Sequence, residues 1–199
     1  MKKPVLITLV VIVALFLLTG VGACNTYNKM VTSQETVDQV WGEVETQYQR
    51  RADLIPNLVN TVKGYAAHES QTFEKVTEAR AKATSITLNV DNLNEQTLAK
   101  YQEAQSELSS ALKSLLAVSE NYPELKANEN FKDLQVQLEG TENRIANARS
   151  RYTEVVRDYN ISIRRFPASI FAGMFGFSAK PQFAAEQGAE KAPEVDFGN

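Results

Sequence analysis

The sequence is short of the residues on which most metal sites and many active sites depend. It holds one cysteine, Cys24, and one histidine, His68, in 199 residues. This disfavours disulfide frameworks, zinc clusters, Cys/His nucleophile pairs and Ser-His-Asp triads. His68 begins like a zinc-protease helix, but Thr72 stands where the second histidine is required, and one histidine cannot complete a diiron pattern. We therefore expect no enzyme, no metal and no cofactor.

The chain is also poor in glycine and proline, and its charges are mixed. It has 9 glycines and 6 prolines, with 43% hydrophobic residues, which is ordinary for a folded protein. Its 21 basic and 24 acidic residues give a net charge of −3, with no basic stripe of the kind that nucleic-acid binders use. The composition predicts one folded body and no nucleic-acid partner.

One long apolar run stands at the N-terminus. Two lysines precede residues 5–18, and small residues follow up to Cys24. One alternative is an uncleaved membrane helix with the lysines in the cytoplasm; the other is a lipoprotein signal peptide removed before Cys24, whose thiol then takes diacylglycerol. The run is about 19 residues when counted to Ala23, enough to span a bilayer, and about 14 when counted to residue 18. Both alternatives place the remainder outside the cytoplasm, and the uncleaved anchor is our first choice.

The rest of the chain repeats apolar residues at intervals of three and four, which is typical of amphipathic helices. No alternating pattern of useful length predicts a strand. Residues rich in Thr and Asn at 84–94, and the run Asn121-Tyr122-Pro123, break the periodicity, and Asn128 is a candidate N-cap. The pattern predicts an all-α protein with four helical series, at residues 37–48, 54–83, 98–115 and 131–163.

Pro56 leaves two arrangements open. Proline inside a helix removes a hydrogen bond and costs about 3 kcal/mol, so a kink or a turn is expected there. The hydrophobic phase continues through Pro56, which favours one kinked helix, whereas a reversal near Asp53 gives four helices of similar length that can pack together. We prefer the reversal, and with it an antiparallel four-helix up-and-down bundle. That topology predicts Tyr27 and Tyr159 as neighbours at one end.

Several long runs together resemble one protein family. They are Tyr27-Asn28, residues 49–59, residues 122–128, residues 138–145, and Tyr159-Asn160 with Phe166-Pro167. The chain resembles the LemA family of bacterial membrane proteins over residues 26–177. The resemblance implies a short N-terminal anchor, an extracytoplasmic four-helix bundle and no assigned catalytic motif; the lipobox-like Cys24 departs from the general pattern. The resulting division is an anchor or signal peptide at 1–23, a helical bundle at 24–166, and a short helix with a flexible tail at 167–199.

Two groups of charged residues are candidates for chemistry. Arg50, Arg51 and Asp53 are interpreted either as a charged recognition site or, preferably, as residues that cap helix ends and pair with each other. Glu139 and Glu142 lie three apart on one helix face, a spacing that suits acid/base catalysis but also ordinary pairing with arginine. We favour the structural interpretation in both cases.

Residues 166–177 form an unusually apolar stretch, with five large apolar side chains after Pro167. One interpretation is a short helix from about Ser169 that folds over the end of the bundle. The other is docking at the bilayer interface beside the anchor. The tail from Ala184 to Asn199 is predicted to be mobile.

These features favour a membrane-anchored extracytoplasmic bundle that acts as an interaction or scaffold module, with another envelope protein as partner. The alternative is an envelope protein that binds a lipid or other apolar ligand between its helices. A cavity discriminates between the two. The sequence predicts neither the partner's identity nor the oligomeric state. The aromatic positions available to such a ligand are Trp41, Tyr65, Phe73, Tyr101, Phe131 and Tyr152.

Overall fold

The computed structural model describes residues 3–88 and 90–184, without the side chains of residues 3–8, 15, 18, 19 and 91. The described residues form helices and turns and contain no strand, so the predicted all-α class is confirmed. Two short 3₁₀ turns cover Val90–Asn92 and Ser119–Asn121. The helices are α1 (Lys3–Lys63), α2 (Ser70–Ser85), α3 (Glu95–Val118), α4 (Pro123–Ala127), α5 (Glu129–Arg164) and α6 (Ala168–Phe175).

Helix α1 runs without a break through Pro56, so the predicted reversal near Asp53 is wrong. The helix tolerates the proline because its missing N–H is replaced from outside. In a regular helix the N–H of residue 56 would donate to the carbonyl of Ala52. That carbonyl instead accepts a hydrogen bond from Nε of Arg80 in α2, at 2.8 Å.

The long α1 also has the partner that its length requires. Side-chain contacts pair α1 with α5 in opposite directions: Glu43 with Arg151 at 2.8 Å, and Arg51 with Glu142 at 2.9 Å. At the far end, Nδ2 of Asn128 donates to the hydroxyl of Tyr65 at 3.0 Å. The turn that ends α1 therefore lies at residues 64–69, and the second predicted series is divided between the end of α1 and α2.

The third and fourth predicted helices are confirmed as α3 and α5, and local caps explain where they begin. At the start of α3, the side chain of Asn94 accepts from the backbone N–H of Thr97, and the hydroxyl of Thr97 accepts from the N–H of Asn94. At the start of α5, the side chain of Asn128 accepts from the backbone N–H of Phe131 at 3.0 Å, as predicted. Helix α2 lies antiparallel to α3, because Lys82 near the end of α2 bonds Glu107 in α3, whereas Glu69, just before α2, accepts from the hydroxyl of Tyr122, just after α3.

The buried apolar residues form two clusters stacked along α1 and α5. The first lies around Trp41, with the second half of α5, the start of α3 and part of the 86–93 loop. The second joins the end of α1, α2, the rest of α3, α4 and the first half of α5. Tyr27 belongs to the end nearest the first cluster, where its ring packs against Phe175 with centroids 5.0 Å apart. Tyr159 contacts the same region, since its hydroxyl donates to the carbonyl of Ser178.

Candidate functional site

The described apolar side chains at the start of α1 are exposed. Between Leu9 and Val21 the large apolar side chains that the structure describes are 48% to 77% exposed, and Met30 is the first buried residue among the described ones. Among the residues that the structure describes, no helix has both the length and the apolar character that crossing a bilayer requires. Cys24, the candidate lipidation residue, lies exposed within α1, directly after this run.

Arg51 is the most deeply buried charged residue described, at 1% exposure. Its Nη1 donates to Oγ of Ser109 at 2.7 Å and to Oε1 of Glu142 at 2.9 Å. Its Nη2 donates to both oxygens of Gln105, with the backbone oxygen at 3.2 Å. The guanidinium carbon also lies 5.1 Å from the ring centroid of Tyr48. Arg51 therefore ties α1 to α3 and α5 at the level between the two core clusters.

The other two members of the predicted charged group do not join Arg51. Arg50 and Asp53 are exposed, and Asp53 accepts a hydrogen bond from Nε2 of Gln49 at 2.7 Å. All three residues lie inside α1, so the prediction that they cap helix ends at a junction is wrong. Only Arg51 takes part in tertiary structure here, because it alone faces the other helices.

The two carboxylates of the Glu139 and Glu142 pair have different surroundings. Glu142 pairs with the buried Arg51, whereas Glu139 accepts from Nε2 of Gln135 at 3.0 Å. An acid and base acting together would need to face one reacting group. Here Glu142 forms an ion pair with another helix, and Glu139 forms a hydrogen bond within its own helix, so the two do not face one group.

The sequence predicts His68 within a helical series, but the residue lies exposed in the turn between α1 and α2. Thr72 follows in α2. Within the described ranges, no three side chains of the His, Cys, Asp and Glu types converge as metal ligands would.

Residues 178–184, which we call the C-terminal segment, are held by several polar side chains of the helices. It contains no helix or strand and lies against α5. The side-chain amide of Asn160 pairs with both backbone groups of Lys180: Nδ2 donates to the carbonyl at 2.8 Å, and Oδ1 accepts from the N–H at 2.9 Å. The hydroxyls of Tyr159 and Tyr152 donate to the carbonyls of Ser178 and Pro181 at 3.0 and 3.1 Å.

Two further contacts fix the C-terminal segment from the side of α3. Nε2 of Gln102 donates to the carbonyl of Ala184 at 2.9 Å. The ammonium group of Lys180, a buried residue, donates to the carbonyl of Val90 at 2.9 Å. The segment is therefore held from both sides, mainly through its backbone.

Aromatic rings receive the end of the C-terminal segment. The ring of Phe183 stacks on Trp41 with centroids 6.1 Å apart and meets Tyr152 edge-on at 5.4 Å. Tyr101 completes this group by packing against Trp41 at 5.8 Å. The guanidinium carbon of Arg149 lies 4.7 Å from the centroid of the Phe183 ring. The half-buried Phe183 thus packs into an aromatic pocket, with a cation over one face of its ring.

Burial raises the pKa of Tyr152 and of Tyr159 above the ordinary value for tyrosine, and the negative charge of Asp38 adds to both shifts. Burial likewise raises the pKa of Tyr101. All three phenols therefore remain protonated at neutral pH, so those of Tyr152 and Tyr159 remain hydrogen-bond donors to the C-terminal segment.

Two small cavities lie between the helices near the middle of the body. One, of about 180 Å³, is lined by Tyr48, Tyr101 and Gln105, and the other, of about 50 Å³, borders Arg51 and Glu142. Ligand pockets usually have about 300–1,000 Å³. A much larger open groove, of about 1220 Å³, runs beside the C-terminal segment on the side of α3 and α5.

Helix α6 folds over the end of the body, which is the first of the two interpretations of residues 166–177. Ala172 is buried, and Phe171 packs against the first core cluster, so one face closes the end of the body. The other face exposes Ile170 and Met174, at 55% and 72%, and these two residues are spaced by four, so they form one apolar stripe on the helix. Phe166, in the turn before α6, is 82% exposed.

A protein-family model described as the LemA family matches residues 40–197. The chain belongs to the LemA family. The resemblance found in the sequence is therefore confirmed.

Three relatives of this LemA-family chain are known proteins. Magnetosome protein MamQ 2 of Paramagnetospirillum magneticum is 26% identical over 186 residues, which cover 85% of this chain and 68% of the relative. Magnetosome protein MamQ of Magnetospirillum gryphiswaldense is 26% identical over 174 residues, covering 79% and 64%. Protein LemA of Metamycoplasma hominis is 22% identical over 139 residues, covering 70% and 60%.

The C-terminal segment of this LemA-family protein is not predicted by the sequence pattern. The predicted division places residues 167–199 in a short helix and a flexible tail, and the predicted mobile stretch begins at Ala184. Residues 185–199 lie outside the described part of the chain. The available signal was Lys180-Pro181-Gln182-Phe183, a proline-stiffened run that ends in an aromatic residue, but no rule of periodicity identifies such a run as part of a core.

Proposed function

We propose that this LemA-family protein is a non-catalytic interaction or scaffold module, attached to the membrane and presenting its helical body in the bacterial cell envelope. The observation that carries the proposal is the exposed apolar run at the start of α1, which continues as one helix into the body. Apolar side chains at such exposure need a cover, and a bilayer provides it. An envelope protein is the partner that we expect for the body.

The proposal includes an up-and-down four-helix arrangement of the body. Antiparallel contacts between α1 and α5, and between α2 and α3, support it. Bonds from Arg51 in α1 to Ser109 in α3 and Glu142 in α5 connect the two pairs. A body tied together in this way offers outer helix faces of fixed shape, which is what a scaffold requires.

The exposed stripe of α6 supports attachment at the same end. Phe175 in α6 contacts Tyr27 in α1, six residues after Val21, the last large exposed apolar residue of the run. Six residues of helix span about 9 Å, which is comparable to the depth of a lipid headgroup layer. This short distance supports the proposal that the stripe contacts the membrane surface next to the anchor.

Membrane attachment is tested by fractionating cells that express the full chain. We expect the protein in the membrane pellet after an alkaline carbonate wash, and a variant without residues 1–23 in the soluble fraction. Recovery of the full chain as a soluble protein contradicts the proposal.

A Cys24→Ala variant separates the two modes of attachment. An uncleaved helix, with the N-terminus in the cytoplasm, leaves residues 1–23 in the mass spectrum of both the wild type and this variant. A lipoprotein attached through Cys24 instead lacks residues 1–23 and carries diacylglycerol in the wild type, and both changes are lost in the variant because the thiol is removed.

The interaction role is tested by crosslinking in intact membranes, followed by purification of the full chain. We expect a defined envelope protein that is not recovered with an unrelated membrane protein of similar abundance. Recovery of no specific partner, or turnover of ester, peptide or phosphate substrates by the purified chain, contradicts the proposal. The apolar-ligand alternative finds no support in the two small cavities, since both are below the usual ligand size.

A further inference from the structure

The C-terminal segment is held in the way that a bound peptide is held. Between its contact with Tyr159 and its contact with Arg149, it advances five residues while α5 advances ten. Ten helical residues span about 15 Å, so the segment rises about 3 Å per residue and is extended. An extended backbone exposes its N–H and carbonyl groups, and side chains of α3 and α5 bond several of them.

These contacts separate into general and specific recognition. Asn160 pairs with both backbone groups of one residue, and this pairing accepts almost any side chain at that position. Specificity comes from two positions: Lys180, whose ammonium group bonds the carbonyl of Val90, and Phe183, which fills the aromatic pocket. Pro181 between them restricts the backbone before binding and so lowers the entropy lost on ordering.

The walls of the site are held together without the segment. The rings of Trp41 and Tyr101 contact each other at 5.8 Å, and those of Trp41 and Tyr152 at 5.3 Å, so α1, α3 and α5 form the aromatic pocket directly. An open groove of about 1220 Å³ lies beside the segment and is lined in part by Arg157 and Arg164. This groove leaves space for a ligand longer than the segment.

We propose that the cleft between α3 and α5 is a binding site for an extended peptide with the pattern Lys-Pro-X-Phe, which the chain's own C-terminal segment occupies until a partner peptide displaces it. This inference deepens the proposed function, because it gives the chemistry of the partner for an interaction module. A tethered segment competes at an effective concentration in the millimolar range, so release of Phe183 opens the site to a free peptide.

The first test measures binding of a labelled synthetic peptide, Ser-Ala-Lys-Pro-Gln-Phe-Ala, to the full-length protein in detergent by fluorescence anisotropy. We expect the Phe183→Ala variant to bind it at least tenfold more tightly than the wild type, because the competing anchor is gone. Phe166→Ala, which removes an exposed phenylalanine outside the cleft, is the matched control and should bind as the wild type does.

Two changes check that the peptide occupies this cleft. Adding Asn160→Ala to the Phe183→Ala chain should weaken binding at least tenfold, as should a peptide with alanine in place of its phenylalanine. Equal binding of the two peptides overturns the proposal, and so does a folded Phe183→Ala chain that binds no better than the wild type.

A second measurement uses the wild-type chain and depends on no variant. Trp41 is the single tryptophan, so a peptide carrying 4-nitrophenylalanine at the anchor position should quench its fluorescence when it enters the pocket. We expect saturable quenching at millimolar peptide and none with the alanine peptide. Absence of saturable quenching shows that the segment is a fixed part of the fold. Fractionation does not involve the cleft, so failure here is distinguishable from failure of the membrane proposal.

Discussion

Arg51 shows how a single side chain joins three helices at the level between the two core clusters. Removing a charge from water is costly, and the cost is offset only when its donors are satisfied. Four donor contacts, to Ser109, to Glu142 and to both oxygens of Gln105, provide most of this compensation. The planar fork of arginine suits this task, since it serves two helices at once.

Replacing Arg51 by alanine should lower the free energy of unfolding by about 3 kcal/mol, because the polar groups that face it then lose their partner. The neighbouring Arg50→Ala is the matched control, and at an exposed position it should change stability by less than about 0.5 kcal/mol. Urea unfolding followed by circular dichroism measures both. Equal effects of the two substitutions would mean that the Arg51 contacts contribute nothing.

At the scale of elements, Pro56 decides the length of α1. The general cost of a proline inside a helix is a missing hydrogen bond and a clash with the preceding turn. Here the bonding part of that cost is reduced, since Arg80 of α2 donates to the carbonyl of Ala52. Arg80, which follows Pro56 by 24 positions, thus supplies the hydrogen bond that the proline cannot.

A double-mutant cycle tests this compensation. Arg80→Ala should cost about 1–2 kcal/mol in the natural chain, because the carbonyl of Ala52 loses its donor. In a Pro56→Ala chain the restored N–H bonds that carbonyl, and the same change should cost about 1 kcal/mol less.

The control for this cycle is Lys75→Ala, an exposed change on the same helix, α2. It should cost the same with proline or alanine at position 56. An equal cost of Arg80→Ala in the two backgrounds would refute the compensation. Thermal or urea unfolding by circular dichroism supplies all the values.

Local signals predicted most of the elements but not their connection at Pro56. Periodicity and caps identified α3 and α5 within a few residues, since Asn128 and the apolar spacing act locally. The argument for a reversal came from the lack of a partner for the first helical series. That partner is the second half of α5, a pairing that depends on where α5 lies in space, and sequence spacing carries no such information.

At the scale of the whole molecule, the C-terminal segment could not be predicted because its contacts are distributed over three helices. Phe183 packs on Trp41 of α1, Ala184 bonds Gln102 of α3, and Lys180 pairs with Asn160 of α5. None of these pairs is close in sequence. The apolar run at the start of α1, by contrast, is evident from composition, because a run of apolar residues can be recognised without knowing any contact within the chain.

Buried tyrosines on α3 and α5 give the molecule a dependence on alkaline pH. The pKa values of Tyr101, Tyr152 and Tyr159 are raised by burial, so the unfolded chain releases these protons at lower pH than the folded one. Their contribution is complete below about pH 10, the ordinary tyrosine pKa, and is lost as the pH rises toward the raised values. We expect the urea midpoint to be constant up to about pH 10 and to fall progressively above it.

Tyr152→Phe tests the assignment of this effect. The variant should lose about 1 kcal/mol at pH 8, since the carbonyl of Pro181 loses its donor. It should also show a shallower fall at alkaline pH, because one shifted phenol is absent. A fall as steep as that of the wild type would assign the alkaline transition to other groups.

The unbroken course of α1 sets the orientation of everything attached to it. A helix turns by about 100° and rises about 1.5 Å for each residue, and no loop separates the apolar run from the body. One residue inserted between Val21 and Tyr27 therefore swings the body about a quarter-turn around the axis of its stalk, and four residues nearly restore its heading. The number of residues between the apolar run and the body therefore determines the direction in which the cleft between α3 and α5 faces, relative to that run.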